Sequence, residues 1–298
     1  MSTRSEALLA RPAAQLEVRQ RITVLLTPPG LWLLLFFVIP LGVMALFSFR
    51  AASFGAQRQV FTLEHYQRFL ADTSAQRLLW RSLLIALETS LICVVLAFPL
   101  AYFLSFRAGP SRLMLLTILV IPSWTSFLLR ILAWKVLLGS SGIFNSLLLS
   151  LGWIEEAAPI LLFSRGAVII TLVYIWVPFV ALPIFAGLER INRHLLEAAE
   201  DLGSRPWQIF LEVILPLSLP GVLAGFLSVF IPTVGEYVTP LLVGGVDGIM
   251  YGNLVQDQFA RALNWPLGSV MSLVMMLVVL VFTFGLGRGV KVTDLAGV

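Results

Sequence analysis

Long apolar runs alternate with short polar stretches along most of the chain. Six runs, at residues 30–49, 83–104, 113–137, 167–188, 221–243 and 267–286, are each about twenty residues or longer. Twenty residues of helix rise about 30 Å, the thickness of a bilayer's hydrocarbon core, so each run predicts a membrane-spanning helix. A signal peptide has an apolar core of only about 7–15 residues, so the first run is read as a retained span. Prolines punctuate the pattern: Pro40 in the first run, Pro122 in the third, Pro178 and Pro183 in the fourth. Each removes a backbone donor and predicts a kink or a break. The fifth run is loosened most, because Pro232, Gly235, Glu236 and Pro240 crowd into a few residues. The predicted layout is a polar tail at 1–29, a membrane domain at 30–290 and a short tail at 291–298. A short apolar helix at 143–153 is expected at the interface.

The polar stretch at 188–216 breaks this rhythm most clearly. Leu188, Ile191, Leu195, Ala198, Ala199 and Leu202 fall at helical spacing and form one apolar stripe. Glu189, Arg190, Arg193, Glu197, Glu200 and Asp201 cover the remaining surface. Gly203 follows as a left-handed stop, and Ser204 is placed to cap a second helix with Pro206 in its first turn. Pro216 and Pro220 are expected to interrupt that second helix before the next span. The result is a helix, a glycine elbow and a helix at the membrane surface, with Ala198 and Ala199 offering a small knob to a partner's groove.

This stretch carries a resemblance. Glu197-Ala198-Ala199, then Gly203 six residues after the glutamate, then Leu215-Pro216, is similar to the loop of bacterial ABC-importer permease subunits. The family usually has Ile where this chain has Val213. Further stretches resemble the spermidine/putrescine-type subfamily: 234–245, 249–253 (Ile-Met-Tyr-Gly-Asn), Asn264-Trp265-Pro266, and 82–87 running on to Pro99-Leu-Ala-Tyr102. The resemblance implies an all-α, six-span type I importer fold in a bacterial inner membrane. It implies a second homologous permease, two copies of a cytoplasmic ATPase that bind ATP and magnesium, and a periplasmic solute-binding protein. In that family Glu197, Ala198, Ala199, Gly203, Leu215 and Pro216 would form the ATPase-coupling loop. The solute would be a polyamine or another small charged molecule.

Composition agrees with a membrane protein: 59% of residues are hydrophobic, 12% are charged and the mean hydropathy is +0.95. Soluble domains carry about 25% charged residues. The net charge of +4 is small. Basic residues gather at loop ends, so they read as topology signals and not as a nucleic-acid surface. Eleven lie on the side of the two tails and nine on the other. The tight turn with Arg107 and Arg112 and the basic N-terminal tail weigh most, placing both termini and the 188–216 loop in the cytoplasm.

Enzymatic readings find little support. Gly139-Ser140-Ser141-Gly142 resembles the Gly-x-Ser-Gly of intramembrane serine proteases, but the two histidines, His65 and His194, both lie outside the spans. A nucleophilic serine needs a base within hydrogen-bond reach. No phosphate-binding Gly-x-x-x-x-Gly-Lys-Ser/Thr occurs, and the single cysteine, Cys93, rules out a Cys-based metal cluster. No cofactor is expected in this chain. Three ionisable residues fall within spans: Glu88, Arg130 and Glu236. A charge at a helix centre costs about 2.5–3.5 kcal/mol on insertion scales, so each should face protein or water. Glu88 and Arg130 lie near span ends, where snorkelling or a structural hydrogen bond serves. Glu236, with Tyr237 beside it and Trp124 at the third-span break, is the candidate for a solute path, with a purely structural pairing of Glu236 as the alternative.

Overall fold

The computed structural model describes residues 24–55, 59–156 and 162–289. The tail residues before 24 and after 289, with Arg4, Arg11, Arg19, Arg21 and Lys291, lie outside the described residues, as does Arg58. Regular structure in the described residues is helical apart from one isolated bridge between Arg50 and Phe61. Six helices among the described residues are long and apolar enough to cross a membrane: Val24–Ser48, Thr73–Phe106, Phe127–Ser150, Arg165–Glu189, Pro206–Val234 and Trp265–Gly287.

In chain order we label α1 (Val24–Ser48), α2 (Glu64–Ala71), α3 (Thr73–Phe106), α4 (Arg112–Val120), α5 (Phe127–Leu138), α6 (Ile143–Ser150) and α7 (Arg165–Glu189). The chain continues with α8 (Arg193–Asp201), α9 (Pro206–Val234), α10 (Gly245–Gly248, entered through a π turn at Pro240–Gly244), α11 (Tyr251–Ala260) and α12 (Trp265–Gly289). The described residues form two compact units, one within 24–66 with 264–270 and one within 67–263 with 271–289.

In the first unit, α1 is apolar all round and only Ser48 is buried. Ser48 Oγ bonds to the Ala45 carbonyl at 2.6 Å and to the Tyr66 hydroxyl at 2.8 Å. The Trp265 N–H donates to Ser53 Oγ at 2.8 Å, and its ring meets Phe47 and Phe54.

The second unit is built on α3, α7 and α9. Asp72 caps α3 by accepting from the N–H groups of Ser74 and Ala75. Ser164 caps α7 through the Ala167 N–H. Small residues let the three helices approach: Cys93, Ala97 and Ala101 of α3 meet Val180, Ala181 and Ile184 of α7 in one buried cluster. On the other flank of α7, Gly187 and Gly221 bring α7 and α9 backbone to backbone. A Cβ on Gly221 would stand 2.6 Å from the Pro183 carbonyl oxygen, closer than any real side chain tolerates. Without a hydrophobic drive between helices in lipid, such close packing holds spans together. A second cluster joins Ile85, Ile131, Leu172, Ile175, Val243 and Met250.

Three sequence expectations need correction. The third apolar run does break at Pro122, as its proline predicts. It divides into α4, a 3-10 turn at Ile121–Trp124 and α5, because Pro122 lacks a donor where the helix would need one. Arg130 therefore lies in the first turn of α5, beyond the break, and is buried at 9% exposure instead of snorkelling from a span end. The fifth span begins at Pro206 and ends at Val234, not at 221–243. Pro216 and Pro220 do not interrupt it. The π turn at Phe210–Ile214 widens the helix just before Pro216, and the carbonyl four residues back, Glu212, belongs to that wide turn.

The predicted helix over 143–153 exists as α6, ending at Ser150. The Gly139-Ser-Ser-Gly142 stretch is a tight turn: a Cβ on Gly142 would sit 2.2 Å from the Leu137 carbonyl oxygen, and Asn145 Nδ2 donates to the Gly139 carbonyl at 2.9 Å.

Candidate functional site

Two places in the second unit carry the polar chemistry. The first is the elbow between α7 and α9. The stripe expected along one helix is divided here. Helix α7 stops at Glu189, and α8 starts afresh after Asn192, whose side chain accepts from the His194 N–H at 3.0 Å. Leu188, Ile191, Leu196 and Ala199 join the core cluster, whereas Leu195 and Leu202 are 42% and 87% exposed. Glu197 and Ala198 also face outward. Glu197 Oε2 lies 3.0 Å from His194 Nδ1.

The stop after α8 is a six-residue hydrogen-bonded cap. Ser204 N–H donates to the Ala199 carbonyl at 3.0 Å and Gly203 N–H to the Glu200 carbonyl at 2.8 Å. Gly203 sits at φ +85°, as this cap requires of the residue just past the helix. A Cβ at Gly203 would meet nothing within 4 Å, so the position demands a conformation and not space. Ser204 stands one residue too early to cap the next helix, which starts at Pro206. That role falls to Arg205, whose N–H donates to Gln208 Oε1 at 2.8 Å. Two contacts root the elbow in the spans. Arg193 Nη2 donates to the Ser105 carbonyl at the end of α3, 3.2 Å away, and Ile209 of α9 is buried in the α3–α7–α9 cluster. Nearby, Arg112 pairs with Glu189 at 2.7 Å. Leu215 and Pro216, half-buried, follow the π turn within α9.

The second place is the break in the fifth apolar run. Helix α9 ends at Val234, and residues 235–237 are non-helical before the chain turns helical again. The Glu236 carboxylate caps the new helix. Its Oε1 accepts from the N–H groups of Val238 at 2.9 Å and Thr239 at 3.0 Å. A carboxylate at a helix N-terminus satisfies two orphan donors and meets the positive end of the dipole. Oε2 has no protein partner among the described residues. Glu236 is half-buried and Tyr237 is 42% exposed.

Residues 249–253 hold this break open. Asn253 Nδ2 donates to the Tyr237 carbonyl at 2.8 Å, and Asn253 Oδ1 accepts from the Met250 N–H. Gly252 lies so close that a Cβ would stand 2.6 Å from the carbonyl oxygens of both Gly235 and Glu236. Tyr251 is fully buried. Its N–H donates to Ser82 Oγ at 2.7 Å and its hydroxyl to the Met271 carbonyl at 3.1 Å. Burial, with the Asp72 charge adding to it, pushes the Tyr251 phenol well above its ordinary range, so it stays a neutral donor. The residues that brace the break were visible in the sequence as motif letters, but nothing local to them pointed to residues 235–237.

Other predicted positions are placed as follows. Glu88 pairs with Arg165 at the start of α7, a structural contact. Trp124 is 79% exposed in the 3-10 turn, and no hydrogen bond or ring contact joins it to Glu236 or Tyr237 among the described residues. No cluster of three or more His, Cys, Asp or Glu suited to a metal occurs among the described residues.

With this geometry in view, the comparisons with known proteins are decisive. Residues 18–290 match the family of binding-protein-dependent transport system inner membrane components. The chain belongs to this family. It is 39% identical over 250 residues to the spermidine/putrescine transport system permease protein PotB of Escherichia coli (strain K12), covering 83% of this chain and 90% of the relative. PotB of Haemophilus influenzae is 37% identical over 258 residues, covering 85% and 89%. Among solved structures, the bacterial alginate ABC transporter in complex with alginate pentasaccharide-bound periplasmic protein superposes with a TM-score of 0.69 at 16% identity, over 91% of this chain and 94% of the matched chain. The fold is therefore that of ABC-transporter membrane subunits, and the chain is a permease component and not an enzyme.

Proposed function

We propose that this permease subunit imports a polyamine. The observation that carries the reading is the 39% identity to PotB across 83% of the chain. The assembly would contain this chain, a second homologous permease, two copies of a cytoplasmic ATPase and a periplasmic binding protein. ATP and magnesium would be held by the ATPase. Both termini and the elbow would face the cytoplasm, in keeping with the basic tight turn at Arg107 and Arg112.

In this reading, the outward residues of α8, namely Leu195, Glu197, Ala198 and Leu202, dock on the ATPase. Closure of the ATPase dimer on ATP moves the elbow. Arg193 and Ile209 tie that movement to α3 and to the core between α7 and α9. The spans then rock between inward-open and outward-open states, and solute released by the binding protein passes the break at 235–237. A polyammonium chain in a low-dielectric path needs negative charge or aromatic faces. Glu236 Oε2 and the Tyr237 ring offer one of each, while Oε1 stays occupied by the helix cap. Trp124, exposed at the other break, would be a further aromatic face on the path.

The test is spermidine and putrescine uptake by the complete complex in vesicles, normalised to assembled complex. Glu236→Gln keeps an acceptor for Val238 and Thr239 but removes the charge. It should slow uptake several-fold without reducing assembly. Unchanged normalised uptake removes Glu236 from the path, and preferential transport of an anionic solute overturns the polyamine assignment.

A further inference from the structure

Arg130 is the charge that the transport reading leaves unexplained. It is 9% exposed, in the first turn of α5. Its Nη1 reaches the Ile175 carbonyl only at 3.5 Å, and its Nε is buried with no partner. Among the described residues no carboxylate forms an ion pair with it. A guanidinium cannot escape by losing its proton, so the charge is permanent.

Depth matters as much as burial. Ile175 lies ten residues from Arg165 and fourteen from Glu189, the two ends of α7. At 1.5 Å per residue, that places Arg130 about 15 Å from one end of the span and about 21 Å from the other. Beside it opens a cavity of about 690 Å³ between α3, the third-span break, α5 and α7. The walls are apolar apart from Arg130 and a few hydroxyls: Ile92 and Leu96, Pro122, Trp134, Val173 and Val177 are typical. Ser126 gives α5 no side-chain cap, so the unpaired N–H groups of its first turn add positive potential at the same rim.

We propose that this cavity receives one face of a membrane-spanning helix of the partner permease, and that a carboxylate on that helix pairs with Arg130. The identity of the partner rests on the two-permease reading above. The chemistry of the contact rests on this chain alone. A lipid phosphate lies at the ends of the spans, about 15 Å from this depth, and does not reach it. A polyamine would be repelled. A small soluble anion would find almost no polar wall to hold it. An acidic side chain carried in by a transmembrane helix brings its charge to mid-depth and fills the apolar walls with its neighbours, which is how intramembrane charges are matched. The outer surface of the same third span, with Ile118, Ile121, Leu128 and Leu129 about half exposed or more, is apolar and continuous with such a contact.

The experiment co-expresses the full chain with its partner permease and measures co-purified partner per chain. Arg130→Met should cut the recovered partner at least tenfold, while leaving unchanged or raising the level and thermal midpoint of the chain expressed without the partner. Arg130→Lys should recover part of the pairing. Arg130→Asp should be rescued by Lys at one acidic position in the partner's spans. A role confined to this chain predicts the opposite, a chain destabilised by Arg130→Met even alone, and that outcome overturns the proposal. Wild-type recovery of partner with Arg130→Met overturns it too. A wild-type chain that pairs with no second permease removes the two-permease reading and this inference together.

Discussion

The elbow and the break both turn on a glycine, yet the two glycines answer different demands. Gly203 is surrounded by open space and is required only for its φ of +85°. Gly252 has no unusual φ but presses on two carbonyl oxygens, each 2.6 Å from where a Cβ would stand. The elbow is thus shaped by local backbone preference and left free on its outer side. The break is shaped by tertiary contact and locked from behind by Ser82, Tyr251 and Asn253. If the elbow docks on the ATPase as proposed, a segment free on its outer side can yield to that partner. A segment that must keep three residues unwound at the end of a span is built to resist.

Substitutions separate the two designs. The largest effect is expected at Gly252→Ala, because the atoms its Cβ would meet are backbone oxygens that cannot rotate away. Overpacking typically costs about 1–3 kcal/mol, and here it also pushes on the break. Thermal unfolding of the detergent-solubilised complex should shift down and uptake should fall. A wild-type melting curve would show that the approach of Gly252 to Gly235 is not a constraint. Next comes Ser82→Ala, which leaves the buried Tyr251 N–H without an acceptor at a cost of about 1–3 kcal/mol. Its signature is faster amide exchange in α11 with little change at the elbow. The smallest loss of stability belongs to Gly203→Ala, at about 1 kcal/mol for forcing a Cβ into the left-handed region. Gly203→Asn should cost less, since Asn tolerates that region. For this pair, ATPase-coupled uptake should drop more than the melting temperature does. Equal losses in both would remove the special role of the elbow.

Much of this was legible in the sequence, and the exceptions share a cause. The six apolar runs announced six spans because bilayer thickness imposes a length that composition alone reveals. Gly203 announced the elbow because a left-handed stop is a local property of one residue. The break at 235–237 was also foreseen, from Pro232 and Gly235. Its bracing was not, because Ser82 lies 169 residues from Tyr251 and only folding brings them together. Pro216 and Pro220 were misread for a related reason. A proline forbids a regular helix hydrogen bond, but the π turn at Phe210–Ile214 changes which bonds are needed. The cap falls to Arg205 because the helix begins with Pro206 at its first position, one residue later than spacing from Ser204 suggests. Arg130 was placed near a span end by counting along an apolar run that folding then divided.

The contact between Gly187 and Gly221 gives α9 something like a fulcrum. No side chain separates the two backbones there, which makes this close approach the natural pivot if α9 tilts on α7. From Gly221 the helix extends fifteen residues back to Pro206 at the elbow and thirteen forward to Val234 at the break. At 1.5 Å per residue those lever arms measure about 22 Å and about 20 Å. A tilt about this point therefore delivers to the break a displacement nearly equal to that imposed at the elbow and opposite in direction. Helix α9 would act as a seesaw of almost unit ratio, with its pull at the surface and its answer near the unpaired oxygen of Glu236.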